Sequence, residues 1–251
     1  MYLLGRSVAM KKLKYLFVLS VIFNILFLLI GSYFVYHKGG MEYIKLSINK
    51  LTSKQVLATV KSDKVDLFKS YPHTENDVVF LGDSLTNACS WADYFPGKYT
   101  RNRGIGADCT SDIINRLDEI INGKPSKIFL MVGINDLLFN VDQKEMLSNY
   151  EQIIKIISEQ TPDTKIFIQS ILPINIQLAK KTQVLHFANK DIDNINLELE
   201  KIAIKYNARY IDLSSKYNDP DGELSPESTT DGIHLKPDKY FIWVNTIEQY
   251  I

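Results

Sequence analysis

Residues 77–85 read Asp77-Val78-Val79-Phe80-Leu81-Gly82-Asp83-Ser84-Leu85. Four apolar residues in unbroken succession fit a short strand buried on both faces, the kind found in parallel sheets. The run ends in a glycine followed by Asp-Ser, residue types that cap a helix. The same strand-then-helix rhythm recurs along the chain. Residues 127–132 (KIFLMV), 165–169 (KIFIQ) and 208–212 (ARYID) fit further strands, and residues 99–102 fit an edge strand. Helical spacing covers 110–121, 143–159, 190–206 and 237–250. Strands alternating with helices predict an α/β domain, three-layered α/β/α, with a parallel sheet covered on both faces. In such sheets, ligand sites form at the C-terminal ends of the strands.

Upstream of this pattern, residues 15–36 read YLFVLSVIFNILFLLIGSYFVY with no charge. At ~1.5 Å per helical residue this run crosses a hydrocarbon core of about 30 Å. It exceeds the ~7–15 apolar residues of a signal peptide, and Lys38 spoils the cleavage site that Gly39 and Gly40 would need. Arg6, Lys11, Lys12 and Lys14 precede it, so the positive-inside rule places residues 1–14 in the cytoplasm and the bulk of the chain outside. Residues 37–75 carry apolar positions at Ile44, Leu46, Leu51, Val56, Val60, Val65 and Leu67. They read as a helical stalk, or as helix packed on the domain, ending at Tyr71-Pro72-His73. The domain itself is expected over 76–251. Lys plus Arg equals Asp plus Glu at 29 each, so no basic excess points to nucleic acid.

Each expected strand end carries a polar block. The first is Gly82-Asp83-Ser84-Leu85, a serine exposed at a strand-to-helix turn. The second is Asn102-Arg103-Gly104-Ile105-Gly106-Ala107-Asp108, whose small residues let backbone amides approach a substrate. The third is Gly133-Ile134-Asn135-Asp136, an asparagine amide able to donate to a developing oxyanion. The fourth is Asp231-Gly232-Ile233-His234, in which the aspartate can hold the ring by Nδ1–H and leave the other nitrogen free to take a proton from serine. Taken singly, the first three blocks read more simply as a helix cap or a βα turn, and the fourth reads equally well as an Asp turn beside a surface histidine. Their joint occurrence, in this order and at strand ends, points to one site.

These four blocks resemble the GDSL, or SGNH, hydrolase family, named for the serine, glycine, asparagine and histidine they contain. GIGAD, GIND and DGIHL together resemble its lysophospholipase-like and acetylhydrolase-like bacterial branches. The resemblance implies a flavodoxin-like domain with five parallel strands. It implies Ser84 as nucleophile, His234 as general base and then acid, and Asp231 as the support of His234. It further implies an oxyanion hole made by the N–H of Ser84, the N–H of Ala107 and the side chain of Asn135. Ala107 departs from the pattern, since the family commonly has glycine there. Asp83 would be structural. The expected activity is a serine esterase working through an acyl-enzyme on a small acyl ester, an O-acetyl group on a surface glycan or a lipid ester. No metal and no organic cofactor are called for. An acyltransferase to a glycan would use the same triad, and a silent binding module would require a broken one.

Cys89 and Cys109 read as free or buried thiols, or alternatively as one disulfide bracing the oxyanion loop. Trp91, Tyr94 and Phe95 read as packing rather than a sugar platform. His37 would sit at the membrane edge, and His186 at the rim of the site or in solvent.

Overall fold

The structure, a computed structural model, describes residues 2–71 and 74–251, with side chains described for 12, 14–40, 55–71 and 74–251. His73 and the side chains of Arg6, Lys11, Ile44, Leu46 and Leu51 lie outside the described residues. The chain divides into two compact units, Met1–Val60 and Lys61–Ile251.

The first unit holds helix α1 (Tyr2–His37) and the beginning of α2 (Gly40–Ser70). Lys38 and Gly39 separate the two helices, and Gly39 and Gly40 stand at φ 112° and 64°. Within α1, Lys14–His37 is long and apolar enough to cross a membrane. Phe17, Phe23 and Phe27 are each 70% exposed, an apolar surface that water does not favour. His37 meets Tyr33 edge to face, at 4.4 Å between ring centroids.

The second unit is a five-stranded parallel sheet: β1 (Val78–Gly82), β2 (Thr100–Gly104), β3 (Lys127–Met131), β4 (Lys165–Gln169) and β5 (Arg209–Ile211). The spatial order is β2-β1-β3-β4-β5. The order reverses between β1 and β3, where α/β sheets open a crevice for ligands. Register aligns that opening: Gly82 lies level with Gly104 on one side and Met131 on the other. The loops leaving β1, β2 and β3 therefore emerge side by side. β2 is an edge strand, as residues 99–102 lead one to expect.

Short helices α3 (Ser84–Asn87) and α4 (Trp91–Tyr94) follow β1. The expected helix over 110–121 is broken into α5 (Thr110–Asn115) and α6 (Leu117–Ile121). The break falls at Arg116, whose guanidinium turns inward. Then come α7 (Ile134–Leu138), α8 (Gln143–Gln160), α9 (Ile176–Ala179), α10 (Asn189–Lys205) and α11 (Tyr240–Ile247), the last flanked by single 3₁₀ turns.

Strand residues alternate between two cores. Val79, Leu81, Ile128, Leu130, Ile166 and Ile168 face a cluster rich in isoleucine and leucine from α5, α6, α8 and α10. Val78, Phe80, Phe129, Met131 and Phe167 face an aromatic cluster with Trp91, Phe95 and Trp243. Phe80 stacks on Trp91 at 3.8 Å, and Phe129 on Phe167 at 4.4 Å. Trp91 and Phe95 are thus core residues, and each stabilises the domain by roughly 1.5–3 kcal/mol through burial. Tyr94 remains 38% exposed. The last turns of α2 belong to this unit: Phe68 is buried, with the Arg103 guanidinium 4.5 Å from its ring.

Candidate active site

The strand β1 delivers Ser84 to the first position of α3. Asp83 caps that helix, its Oδ1 accepting the Leu85 N–H at 2.9 Å. The Ser84 N–H, being the first of a helix, has no intrahelical acceptor. Ser84 Oγ lies 2.9 Å from His234 Nε2, and His234 Nδ1 lies 2.6 Å from Asp231 Oδ2. The loop that supplies the last two residues is tied locally. Asp231 Oδ1 accepts the N–H groups of Ile233 and His234 at 2.9 and 2.8 Å, and Gly232 N–H donates to Thr229 Oγ1. Gly232 sits at φ 89°, and a Cβ there would stand 2.4 Å from Ala179 N. Only glycine suits that crossing with the segment after β4. The side chains of His234 and Asp231 are 49% and 41% exposed, so this rim of the site is open.

The other sequence-expected residues converge from neighbouring strands. Ala107 follows β2 at φ 62°, the left-handed region that costs an alanine roughly 1–2 kcal/mol. Asn135 lies in the first turn of α7 and is buried. Its Nδ2 donates to Asp108 O at 2.9 Å, which uses one of the two amide hydrogens. The second and third blocks are thereby joined beside Ser84's strand.

Several residues that hold these loops had no local signature. Asn102 Nδ2 reaches the carbonyls of Thr86, Asn87 and Cys89 at 3.0–3.1 Å, while its Oδ1 accepts the Gly104 N–H. It clamps the turn after Ser84 to the end of β2. Arg116 Nε pairs with Asp108 Oδ2 at 2.9 Å, and its Nη2 donates to Gly82 O and Arg103 O. Asp136 accepts both the N–H and the hydroxyl of Thr110. Gly104 is small for a reason its sequence context does not show: a Cβ there would meet Asn87 N at 2.2 Å, so it makes room for the turn after Ser84. Open space lies beside Gly106. His186 lines a cavity of about 340 Å³ with Leu137, Asn140 and Phe187, between the loops after β3 and β4.

The model of the GDSL-like Lipase/Acylhydrolase family matches residues 80–240, which include all four blocks. The chain belongs to that family. Over 168 residues, 64% of this chain and 69% of the relative, it is 29% identical to platelet-activating factor acetylhydrolase IB subunit alpha2 of Rattus norvegicus. A solved Streptococcus pneumoniae protein named for platelet activating factor superposes with a TM-score of 0.72 at 28% identity, covering 84% of this chain and 99% of that one. The lipase/acylhydrolase of Enterococcus faecalis shares the fold at a TM-score of 0.59 and 18% identity, over 70% of this chain and 95% of that one. This GDSL hydrolase is accordingly an acylhydrolase, an esterase by reaction class.

Cys89 and Cys109 are free thiols in this hydrolase, and both are buried. The disulfide alternative therefore falls. Cys89 packs into the aromatic core, whereas Cys109 precedes α5, and burial pushes both thiols up to about 12. They are inert rather than reactive.

Asp83 of the GDSL block is wholly buried. Desolvation pushes its carboxyl up to about 7, against the Leu85 N–H bond, with Asp108 and Asp136 raising it further and His234 lowering it. The native state therefore binds a proton that the unfolded state releases at its ordinary value near 4. Stability from this group is greatest below that value and falls as pH rises toward 7. Asp83→Asn keeps an acceptor for Leu85 and removes the titration. The melting-temperature gain of Asp83→Asn over the native chain is expected to grow between pH 4 and 7 and then level off. In unfolding free energy the difference should reach on the order of a few kcal/mol. A gap that is flat with pH would show that Asp83 is ionised throughout.

Proposed function

We propose that this acylhydrolase works through a Ser84–His234–Asp231 triad on short acyl esters. The single observation that carries the reading is the 2.9 Å contact of Ser84 Oγ with His234 Nε2, continued at 2.6 Å to Asp231. Ser84 Oγ attacks the ester carbonyl carbon as its proton passes to His234 Nε2. The tetrahedral oxyanion is met by the N–H groups of Ser84 and Ala107 and by the second amide hydrogen of Asn135. His234 gives its proton to the leaving alcohol and the C–O bond breaks. Water then attacks the acyl-enzyme, again deprotonated by His234, and the carboxylic acid leaves with Ser84 restored. Asp231 keeps Nδ1 protonated throughout. Burial alone would raise its carboxyl, but bonds from the His234 ring and from the His234 and Ile233 N–H groups hold it below the usual carboxylate range.

Three observations favour a short acyl group on a bulky alcohol, either a surface glycan or a lipid. The His234–Asp231 rim is half exposed, which leaves room for a large leaving group. The relatives near 29% identity are acetylhydrolases by name, and Ala107 carries a methyl where the family commonly has none. The test is turnover on aryl esters of graded chain length, beside an acetylated glycan and an acetylated phospholipid. Acetyl to butyryl esters should turn over, with a steep fall by octanoyl. Preference for long chains would overturn the substrate class. Acyl delivery to a glycan acceptor, with none to water, would make the protein a transferase.

The apolar helix within α1 supports a single-pass anchor with residues 1–14 in the cytoplasm and the catalytic unit outside. The full chain should stay with membranes through alkaline carbonate, and protease added outside intact cells should digest the domain. Digestion only after lysis would reverse the orientation.

A further inference from the structure

The Lys61 side chain reaches from α2 to the loop that carries Ala107. Its Nζ donates to Ala107 O at 2.8 Å and to Asp112 Oδ2 at 2.8 Å, and lies 3.2 Å from Asp108 Oδ1. An ammonium has three hydrogens, and three acceptors surround this one. Asp112 Oδ2 in turn accepts the Cys109 N–H, and Asp108 O accepts from Asn135. One cation thus ties together the segment from the left-handed turn to the first turn of α5. Lys61 lies outside residues 80–240, the part that matches the family model.

The helix is itself held against this loop. Lys64 hydrogen-bonds Asn87 at the end of the nucleophile helix, and Phe68 is buried under Arg103. Positions 61, 64 and 68 share one helical face. Burial lowers the Lys61 pKa, but the bonds to Asp112 and Asp108 outweigh it, so the ammonium stays charged.

We propose that Lys61 is a positioning residue that holds the oxyanion loop in its left-handed turn. Glycine adopts positive φ freely, whereas Ala107 needs an outside hold to stay there. The bond to Ala107 O fixes the peptide on one side of that residue, and so the direction of the N–H on the other. Without the ammonium, Ala107 relaxes toward negative φ and its N–H swings off the oxyanion. Lys61 never touches substrate. The inference rests on the oxyanion role given to Ala107 above.

The test uses the full chain and a short aryl ester. Lys61→Met keeps the methylene stem and removes the charge. It should lower kcat about 10–100-fold, leave KM within about twofold, and slow phosphonate labelling of Ser84 in parallel. Asn135→Ala, which deletes a donor outright, is the yardstick at roughly 10²–10³-fold. Lys61→Arg should recover most of the rate, because a guanidinium still reaches a carbonyl and two carboxylates. Asp112→Asn should give a smaller loss, again in kcat alone. Native kcat in Lys61→Met, a loss confined to KM, or a folded Lys61→Arg as slow as Lys61→Met would each overturn the proposal. Should Lys61→Met fail to fold, native kcat in Asp112→Asn overturns it instead. Ser84→Ala run alongside separates the two levels: an active Ser84→Ala refutes the site itself, while an inactive one beside a fully active Lys61→Met refutes only the role of Lys61.

Discussion

Ser84→Ala is expected to lower ester turnover on the order of 10⁶-fold while the fold persists. The side chain contributes one hydrogen bond, to a His234 ring that is half exposed, so its loss removes little stability. On the proposed mechanism it removes the nucleophile from the chemistry. The proposed oxyanion donors remain, and in the triad template such donors sustain a residual rate of about 10³–10⁴ over water. The melting temperature should therefore stay close to that of the native chain. A serine-directed phosphonate should label the native protein at Ser84 and leave the variant unlabelled. Labelling at another serine, or native turnover in the variant, would remove Ser84 from the mechanism.

Asp231→Asn is the second large effect, at roughly 10⁴-fold in kcat. The carboxylate has two separate tasks. Its Oδ1 accepts the backbone N–H groups of Ile233 and His234, and an asparagine oxygen does the same, so the loop should hold. Its Oδ2 faces His234 Nδ1 at 2.6 Å, and there an amide nitrogen presents hydrogens instead of lone pairs. The ring must then carry its proton on Nε2, the atom that faces Ser84 Oγ. That tautomer cannot accept the serine proton. Binding should be nearly unchanged, because Asp231 acts through His234. Steady-state kinetics with a circular-dichroism melt separate the cases. A variant within about tenfold of native kcat would mean that a Ser–His dyad suffices or that another carboxylate supports the ring.

The order of blocks was legible because each is written in consecutive residues. An apolar strand running into Gly-Asp-Ser, and an aspartate three positions before a histidine, are local patterns whose geometry follows from turn and cap preferences. Strands β1, β3 and β4 were legible from runs of four or five buried residues bounded by turn residues. The helix over 110–121 was read as continuous because its apolar spacing is continuous; the break at Arg116 answers to carbonyls of Gly82 and Arg103, far away in the chain. The neighbour that makes Gly104 small, the backbone of Asn87, lies on another loop and leaves no trace in the residues around position 104.

By itself, the sequence determined the alternation of strands and helices, the identity of the four blocks and the apolar helix ahead of them, all properties of residues within a few positions of one another. Tertiary structure alone decided that Ser84 meets His234 across 150 positions and that Lys61 meets Ala107 across 46. It also decided that Ala107 is left-handed and that both cysteines are buried free thiols. The physical reason is register. Parallel pairing sets Gly82, Gly104 and Met131 at one level, and side chains from remote segments become neighbours only once that level exists.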